Sequence, residues 1–203
     1  MIVVIDYGMG NLRSVQAGLE YAGQKVLVTD DPKKVVEAPA VVLPGVGAFG
    51  DAIKRLEETG LGDAFCEAVR SGKPCLGICL GLQLLFTESE EGGLYRGLDI
   101  VPGKVVRFSN NLKVPHMGWN QIDIKNRDTP FFRDIPDGSY MYFVHSYYAQ
   151  PENESFIGAT TNYGIDFASV IVRDNLFATQ FHPEKSQKTG LQLLRNFCAL
   201  VYN

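Results

Sequence analysis

The rhythm of apolar and polar positions changes about halfway along the chain. In the first half, short continuous apolar runs alternate with segments whose apolar residues recur every three or four positions. "MIVVIDY" opens with an unbroken run, the pattern of a strand buried on both faces. In "NLRSVQAGLEYAG", Leu12, Val15, Leu19 and Ala22 share one helical face and Gly23 supplies a stop. "KVLVTD" predicts a strand, "DPKKVVEA" a short helix with Pro32 near its start, and "AVVLPGVGAFG" a strand running into a glycine-rich loop. Residues 49–71 have helical spacing interrupted near Gly60. "KPCLGIC" predicts another strand, and "LGLQLLFTES" the helix after it. Repeated strand–helix units of this kind predict an α/β fold, with a mainly parallel central sheet flanked by helices.

The second half is different, β-like and rich in aromatic residues. "GLDIVPGKVVRF", "VPHMGWNQIDIK" and "SYMYFVHSYYAQ" each read as β structure. "FIGATTNYG", "FASVIVRDN" and "LFATQFHPE" follow as an antiparallel meander with short turns. From Ser186 onward a closing helix is predicted, with Leu191, Leu194 and Cys198 facing one way. An additional antiparallel β portion therefore joins the parallel sheet.

Composition narrows the class. The chain has 203 residues, 45% hydrophobic and 21% charged, which is ordinary for a globular protein with a real core. A single domain over residues 1–203 is expected, since no repeat, low-complexity stretch or linker interrupts it. The net charge of −4 is interspersed, without the basic block that nucleic acid or an anionic membrane selects. No apolar run approaches the ~20 residues of a membrane span, and the start turns acidic and glycine-rich too early for a signal peptide. The four cysteines lack Cys-x-x-Cys spacing and fit a reducing cytosol with mostly buried thiols. A cytoplasmic location is expected, with no nucleic-acid or membrane partner and no metal or cofactor.

One stretch points to chemistry. In "GICLG" a strand must turn sharply into a helix, and Gly77 and Gly81 on either side of Cys79 allow close backbone approach. This is the pattern of a nucleophile elbow, with cysteine as the nucleophile. A thiol at the start of a helix meets the positive end of the helix dipole, which favours the thiolate. The N–H of Leu80, the next residue, points where an oxyanion would form. Cys66, Cys75 and Cys198 lie in plain helix or strand patterns and read as structural thiols.

A nucleophile needs a base. Three histidines are available, His116, His145 and His182. His182 follows a strand in "TQFHPEKS", with Pro183 holding the backbone extended. In an extended segment Glu184 projects to the same side as His182 and can orient the imidazole. His116 and His145 have no carboxylate at that spacing and remain alternatives on spacing alone. The third element is "LPGVGAFG", a strand ending in a loop whose successive N–H groups suit an oxyanion or a carboxylate. Loop and elbow follow neighbouring parallel strands, where open α/β sheets place their sites.

Loop, elbow and "HPE", in this order, resemble the class I (triad) glutamine amidotransferases over essentially the whole chain. "DYGMGNLRSV", "PHMGWN", "YFVHSYY" and "QFHPEKS" sharpen the resemblance to members in which the glutaminase is a separate subunit. The resemblance implies that Cys79 attacks the side-chain amide of glutamine, that His182 moves the proton and that Glu184 orients His182. It implies an oxyanion hole from the N–H groups of Val46 and Leu80, and glutamine held by Gly45, Gln83, Ser146 and Tyr147. It also implies a heterodimeric partner, a cyclase subunit with a (β/α)8 barrel, docked at Asn11, Trp119, Tyr142 and Lys185. From sequence alone Trp119 divides between a core aromatic and such an interface anchor.

A partner is expected on chemical grounds too. One glutaminase domain leaves none to accept nitrogen, and ammonia released into neutral water is protonated and loses nucleophilicity. The Pro44–Gly47 loop is the expected switch, with a Val46 peptide that turns inward when the partner binds. Two competing expectations are a glutaminase subunit of another complex, such as pyridoxal phosphate synthase, and a cysteine hydrolase that needs no partner.

Overall fold

The computed structural model describes residues 1–202. The predicted strand–helix alternation is present from the start: β1 (Ile2–Ile5), α1 (Leu12–Tyr21), β2 (Val26–Thr29), α2 (Pro32–Glu37) and β3 (Val41–Gly45). Asp31 caps α2 by accepting from the Lys33 N–H, with Pro32 in the first turn. The helical stretch after β3 breaks where expected, into α3 (Phe49–Thr59) and α4 (Leu61–Arg70). Gly60 lies between them at φ 69°, a left-handed conformation natural to glycine.

β4 (Cys75–Cys79) then leads into α5 (Leu80–Leu84), which is shorter than the pattern predicted. "FTES" is not helical but forms β5 (Phe86–Ser89). The reason is the returning chain. Leu98 N–H bonds the Leu84 carbonyl, and the N–H groups of Ile100 and Val101 both bond that of Leu85. The helix carbonyls are thus taken from outside, and Phe86 pairs with Val101.

The second half contains β6 (Tyr95–Arg96), β7 (Val101–Arg107), β8 (His116–Gln121), β9 (Asp123–Ile124), β10 (Tyr140–His145), β11 (Tyr147–Pro151), β12 (Ile157–Asn162), β13 (Asp166–Arg173) and β14 (Leu176–Thr179), closed by α6 (Gln187–Ala199). The strand order of the main sheet is β2-β1-β3-β4-β14-β13-β11-β7-β5-β6, with β12 on β13 and β9 on β12. The stretch from β2 to β14 is parallel throughout, and β13, β11 and β7 continue it antiparallel. The predicted meander is therefore β12-β13-β14, and its last strand joins the parallel half beside β4.

"YMYFVHSYYAQ" is not one strand. It breaks at Ser146, sending β10 to a separate antiparallel ribbon with β8 and β11 to the main sheet.

Every residue of β1, β3 and β4 is buried, because helices cover both faces of the parallel half. Alternate strand residues serve two cores. Ile2, Val4, Val42 and Leu76 meet Val15 and Leu19 of α1 and Leu193, Leu194 and Phe197 of α6. Val3, Ile5, Val41 and Leu43 meet α2 to α5 through residues such as Val35, Phe49, Phe65 and Leu82. On α6, Leu194 and Cys198 are buried as predicted, whereas Leu191 is only partly covered. Among the described residues no helix is long and apolar enough to cross a membrane.

Candidate active site

The carboxyl ends of β3, β4 and β14 lie side by side, with Gly45 in register with Cys79 and Thr179 with Ile78. Cys79 ends β4 at φ 56° and ψ −109°, a conformation that costs a non-glycine residue energy. Its glycine neighbours are required for space rather than for dihedral freedom. A Cβ on Gly81 would sit 2.0 Å from the Leu43 carbonyl oxygen, and one on Gly77 2.9 Å from that of Gly81. The two glycines let α5 fold tightly against β3 and β4, and the strain falls on the cysteine. Cys75 and Cys198 differ sharply: burial pushes both thiols up to about 12, as inert structural groups. Cys66, expected to be buried, is only partly buried on α4.

Beyond β14 the chain presents His182 and Glu184. The two are paired as predicted, His182 Nδ1 to Glu184 Oε1 at 2.8 Å, with side chains 2% and 0% exposed. The backbone that makes the pair is a 3-10 turn, Pro183–Lys185, rather than an extended run. Its start is anchored to the ribbon: His182 N–H bonds the Tyr142 carbonyl at 2.9 Å. The Ser186 hydroxyl donates to the His182 carbonyl and accepts from the Tyr142 N–H. Burial opposes a charge on His182, but Cys79 and Glu184 together outweigh it and hold the imidazole up at about 9. The other ring nitrogen, Nε2, is buried without a hydrogen-bond partner. One nitrogen is thus held by a carboxylate, and the other is free to exchange a proton with Cys79 or a ligand. His145 and His116, the alternative bases, meet no carboxylate and bond each other instead.

Two further side chains join this centre. Gln180, fully buried and two residues before His182, directs its amide Nε2 to Cys79 Sγ at 3.9 Å. The period-two spacing 180, 182 was the sequence signal for it. Gln83 spends its Nε2 donors on the Tyr147 carbonyl at 3.0 Å and Gln180 Oε1 at 3.1 Å. Only its own Oε1 remains to meet a ligand.

A cavity of about 380 Å³ opens over Cys79 and His182, walled by Val46, Leu80, Gln83, Ser146 and Tyr147. Gly45 does not line it. Gly45 stands behind the loop, where a Cβ would meet the Tyr7 hydroxyl at 2.6 Å. That hydroxyl donates to the Pro44 carbonyl at 2.9 Å. Burial, and then the charge of Cys79, push the phenol's pKa well above its usual range, so it stays a neutral donor. Gly47 is at φ 101°, and Val46 between the two glycines is 38% exposed at the cavity mouth.

Sequence reasoning missed Glu91, which also lines the cavity. Its run, "ESEEGG", looks like an ordinary solvated face. In the fold Glu91 Oε2 accepts from the Phe49 N–H at 3.0 Å, and burial raises its pKa against the pull of that N–H. An acidic acceptor thus faces the same cavity as Cys79.

Of the four expected interface residues, Lys185 lies on the turn that carries Glu184, and the Tyr142 carbonyl accepts from the His182 N–H before it. Trp119 is 46% exposed, so it is not a core aromatic. It packs edge-on to its cross-strand neighbour Tyr142, with ring centroids 5.9 Å apart. Lys185 is exposed beside Glu184, and Asn11 stands partly exposed at the start of α1 without a side-chain capping bond.

Residues 3–201 match the glutamine amidotransferase class-I family. The imidazole glycerol phosphate synthase subunit HisH of Geobacter metallireducens is 55% identical over 203 residues, 97% of this chain and 96% of that protein. The same subunit of Methanosarcina barkeri is 52% identical over 199 residues, 97% and 96% of the two chains. Among solved structures, a glutamine amidotransferase superposes with a TM-score of 0.77 at 18% identity, covering 99% of each chain. PurLQS from Thermotoga maritima gives 0.73 at 17% identity, covering 98% of this chain and 96% of that one. At these identities the structural likeness speaks for the fold alone.

Proposed function

Because this chain belongs to the glutamine amidotransferase class-I family, we propose that its cavity hydrolyses glutamine as the glutaminase half of imidazole glycerol phosphate synthase. It serves histidine biosynthesis by giving ammonia to a cyclase subunit. The observation that carries the reading is Cys79 on its strained corner, sharing one cavity with the buried His182–Glu184 pair.

Cys79 Sγ attacks the side-chain carbonyl carbon of glutamine, and the N–H groups of Val46 and Leu80 take up the charge on its oxygen. His182 Nε2 gives its proton to the departing nitrogen, the C–N bond breaks, and ammonia leaves behind a cysteinyl thioester. Water, deprotonated by the now neutral His182, attacks the thioester. Glutamate departs, and the proton returns to the Cys79–His182 pair. Glu184 keeps Nδ1 engaged throughout, so Nε2 always faces the reaction. Gln83 Oε1 and the Glu91 carboxylate accept from the substrate's nitrogen groups, and Ser146 and Tyr147 close the far wall. The partner is a (β/α)8-barrel cyclase that docks over the cavity mouth at Asn11, Trp119, Tyr142 and Lys185 and receives ammonia without loss to water.

The test is the Cys79→Ala chain in complex with the cyclase. Synthesis driven by glutamine is expected to vanish, while synthesis driven by added ammonia persists, because only the nitrogen source is bypassed. Retained glutamine-driven synthesis, or its loss in Cys75→Ala instead, would overturn the assignment.

A further inference from the structure

We propose that His116 and His145 are positioning residues for the glutamine cavity. They carry a one-directional chain of hydrogen bonds that runs from Asn120 on the ribbon to the Tyr147 carbonyl, and through it sets the Gln83 amide. The inference rests on the assignment of the cavity to glutamine and concerns residues to which that assignment gives no role.

The direction of the chain is fixed from both ends. At the inner end, the Tyr147 carbonyl only accepts, so His145 Nδ1, 2.8 Å away, carries the hydrogen. In a neutral ring the other nitrogen, Nε2, is then bare. His116 Nδ1 lies 2.9 Å from it and must donate, which leaves His116 Nε2 as an acceptor. Asn120 Nδ2 stands 3.2 Å from that nitrogen. At the outer end, the Asn120 amide is oriented independently. Its Nδ2 also donates to the Asn162 carbonyl at 2.9 Å, and its Oδ1 accepts from the Gln121 N–H at 2.8 Å. The two ends demand the same polarity, and both rings must carry their hydrogen on Nδ1.

The surroundings keep both rings neutral. The pair is buried among aromatic rings, His116 stacked on Tyr163 and Phe143 at 4.1 and 4.9 Å and His145 beside Phe108 and Phe167 at 5.3 and 5.2 Å. Burial pushes His116 down to about 4 and His145 to about 3. The chain is therefore a set of fixed dipoles at physiological pH, not a proton relay.

Its inner end reaches the nucleophile. The Tyr147 carbonyl also accepts from Gln83, Gln83 donates to Gln180, and Gln180 points at Cys79 Sγ. Its outer end lies on a ribbon outside the main sheet, so no backbone ladder sets the ribbon's position against the cavity. His145 lines the cavity and His116 does not. The hydrogen-bonded route from His116 to the cavity passes through His145; its chain neighbour Pro115 also lines the cavity.

The test has a spectroscopic arm and a kinetic one. Ring 15N shifts of the wild-type chain, which has three histidines to assign, are expected to show His116 and His145 neutral with hydrogen on Nδ1. A hydrogen on Nε2 of either ring, or a charged ring at neutral pH, would overturn the proposal. For the complex at saturating cyclase, His116→Leu is expected to raise the glutamine KM roughly tenfold, the equilibrium equivalent of one lost buried hydrogen bond, with less change in kcat. His116→Asn, which keeps a donor near the Nδ1 position, is expected to restore most of it. A folded His116→Leu protein with an unchanged KM would overturn the proposal, since a purely structural role would lower thermal stability and leave KM alone. If His116→Leu does not fold, the ring shifts decide. A wild-type complex without glutaminase activity at saturating cyclase would sink the assignment of the cavity, a failure distinct from a wrong tautomer.

Discussion

The parallel half of the molecule and its aromatic ribbon contribute to one cavity by different physical means. In the parallel half, Cys79, Gly45 and the strand leading to His182 are set by buried strand ladders and by glycines that admit no Cβ. There the geometry is rigid and the chemistry is carried by strain and by a buried ion pair. The ribbon of β8 and β10 stands apart from the main sheet, exposes Trp119 on its outer face and holds His116 and His145 on its inner face. It reaches the cavity through side-chain and single backbone hydrogen bonds, such as those at Tyr142 and Tyr147. Such ties shift more easily than a sheet ladder. On the proposed function, this difference fits bond-making in the first region and control in the second.

The contrast breaks most visibly at the catalytic pair. His182→Ala is expected to lower glutamine turnover by roughly 10³-fold or more, and Glu184→Gln to be about ten- to a hundredfold milder, since it orients rather than transfers the proton. The pH profile sharpens the point. His182 is charged below about 9 and neutral above it, and the leaving nitrogen needs the charged form, so turnover falls as pH rises through that value. Glu184 is one of the two groups that raise His182, so Glu184→Gln moves this fall to lower pH. Steady-state rates across pH decide both; equal losses from the two variants would give Glu184 a larger part than orientation.

Gly81→Ala tests the rigidity of the parallel half without touching a reacting group. Its Cβ would lie 2.0 Å from the Leu43 oxygen, and neither backbone can yield cheaply, so a stability loss of about 3 kcal/mol is expected from thermal or denaturant unfolding. A change under ~0.5 kcal/mol would show that the elbow is looser than its packing implies. On the ribbon the expectation reverses. Trp119→Ala leaves the fold intact and weakens cyclase binding by about 2 kcal/mol, measured by titration. Unchanged affinity would remove the ribbon from the docking face. Smallest is Tyr7→Phe, which strips the Pro44 carbonyl of its buried donor and is expected to cost about 1 kcal/mol of stability.

The same contrast explains what the sequence revealed. Continuous apolar runs and glycine spacing are local signals, so β1, β3, β4, the break at Gly60 and the corner at Cys79 were legible in the order of residues alone. His182 and Glu184 were legible because they are two residues apart. The break at Ser146 was not, since both halves of "YMYFVHSYY" have the same period and only their partners, β8 and β7, separate them. The end of α5 was hidden for a related reason: residues 98 to 101 take its last carbonyls from a distance. Glu91 looked like a solvated charge until α3 supplied the Phe49 N–H to it.

In the proposed division of labour the parallel half does the chemistry, and the ribbon, pressed by the partner, permits it. The most direct measurement is glutamate release by the wild-type chain as the cyclase subunit is titrated in. The chain alone is expected to be nearly silent, and saturation to raise its rate by about 10²–10³-fold, the worth of one oxyanion donor brought into place at Val46. Full activity in the absence of the partner would contradict it.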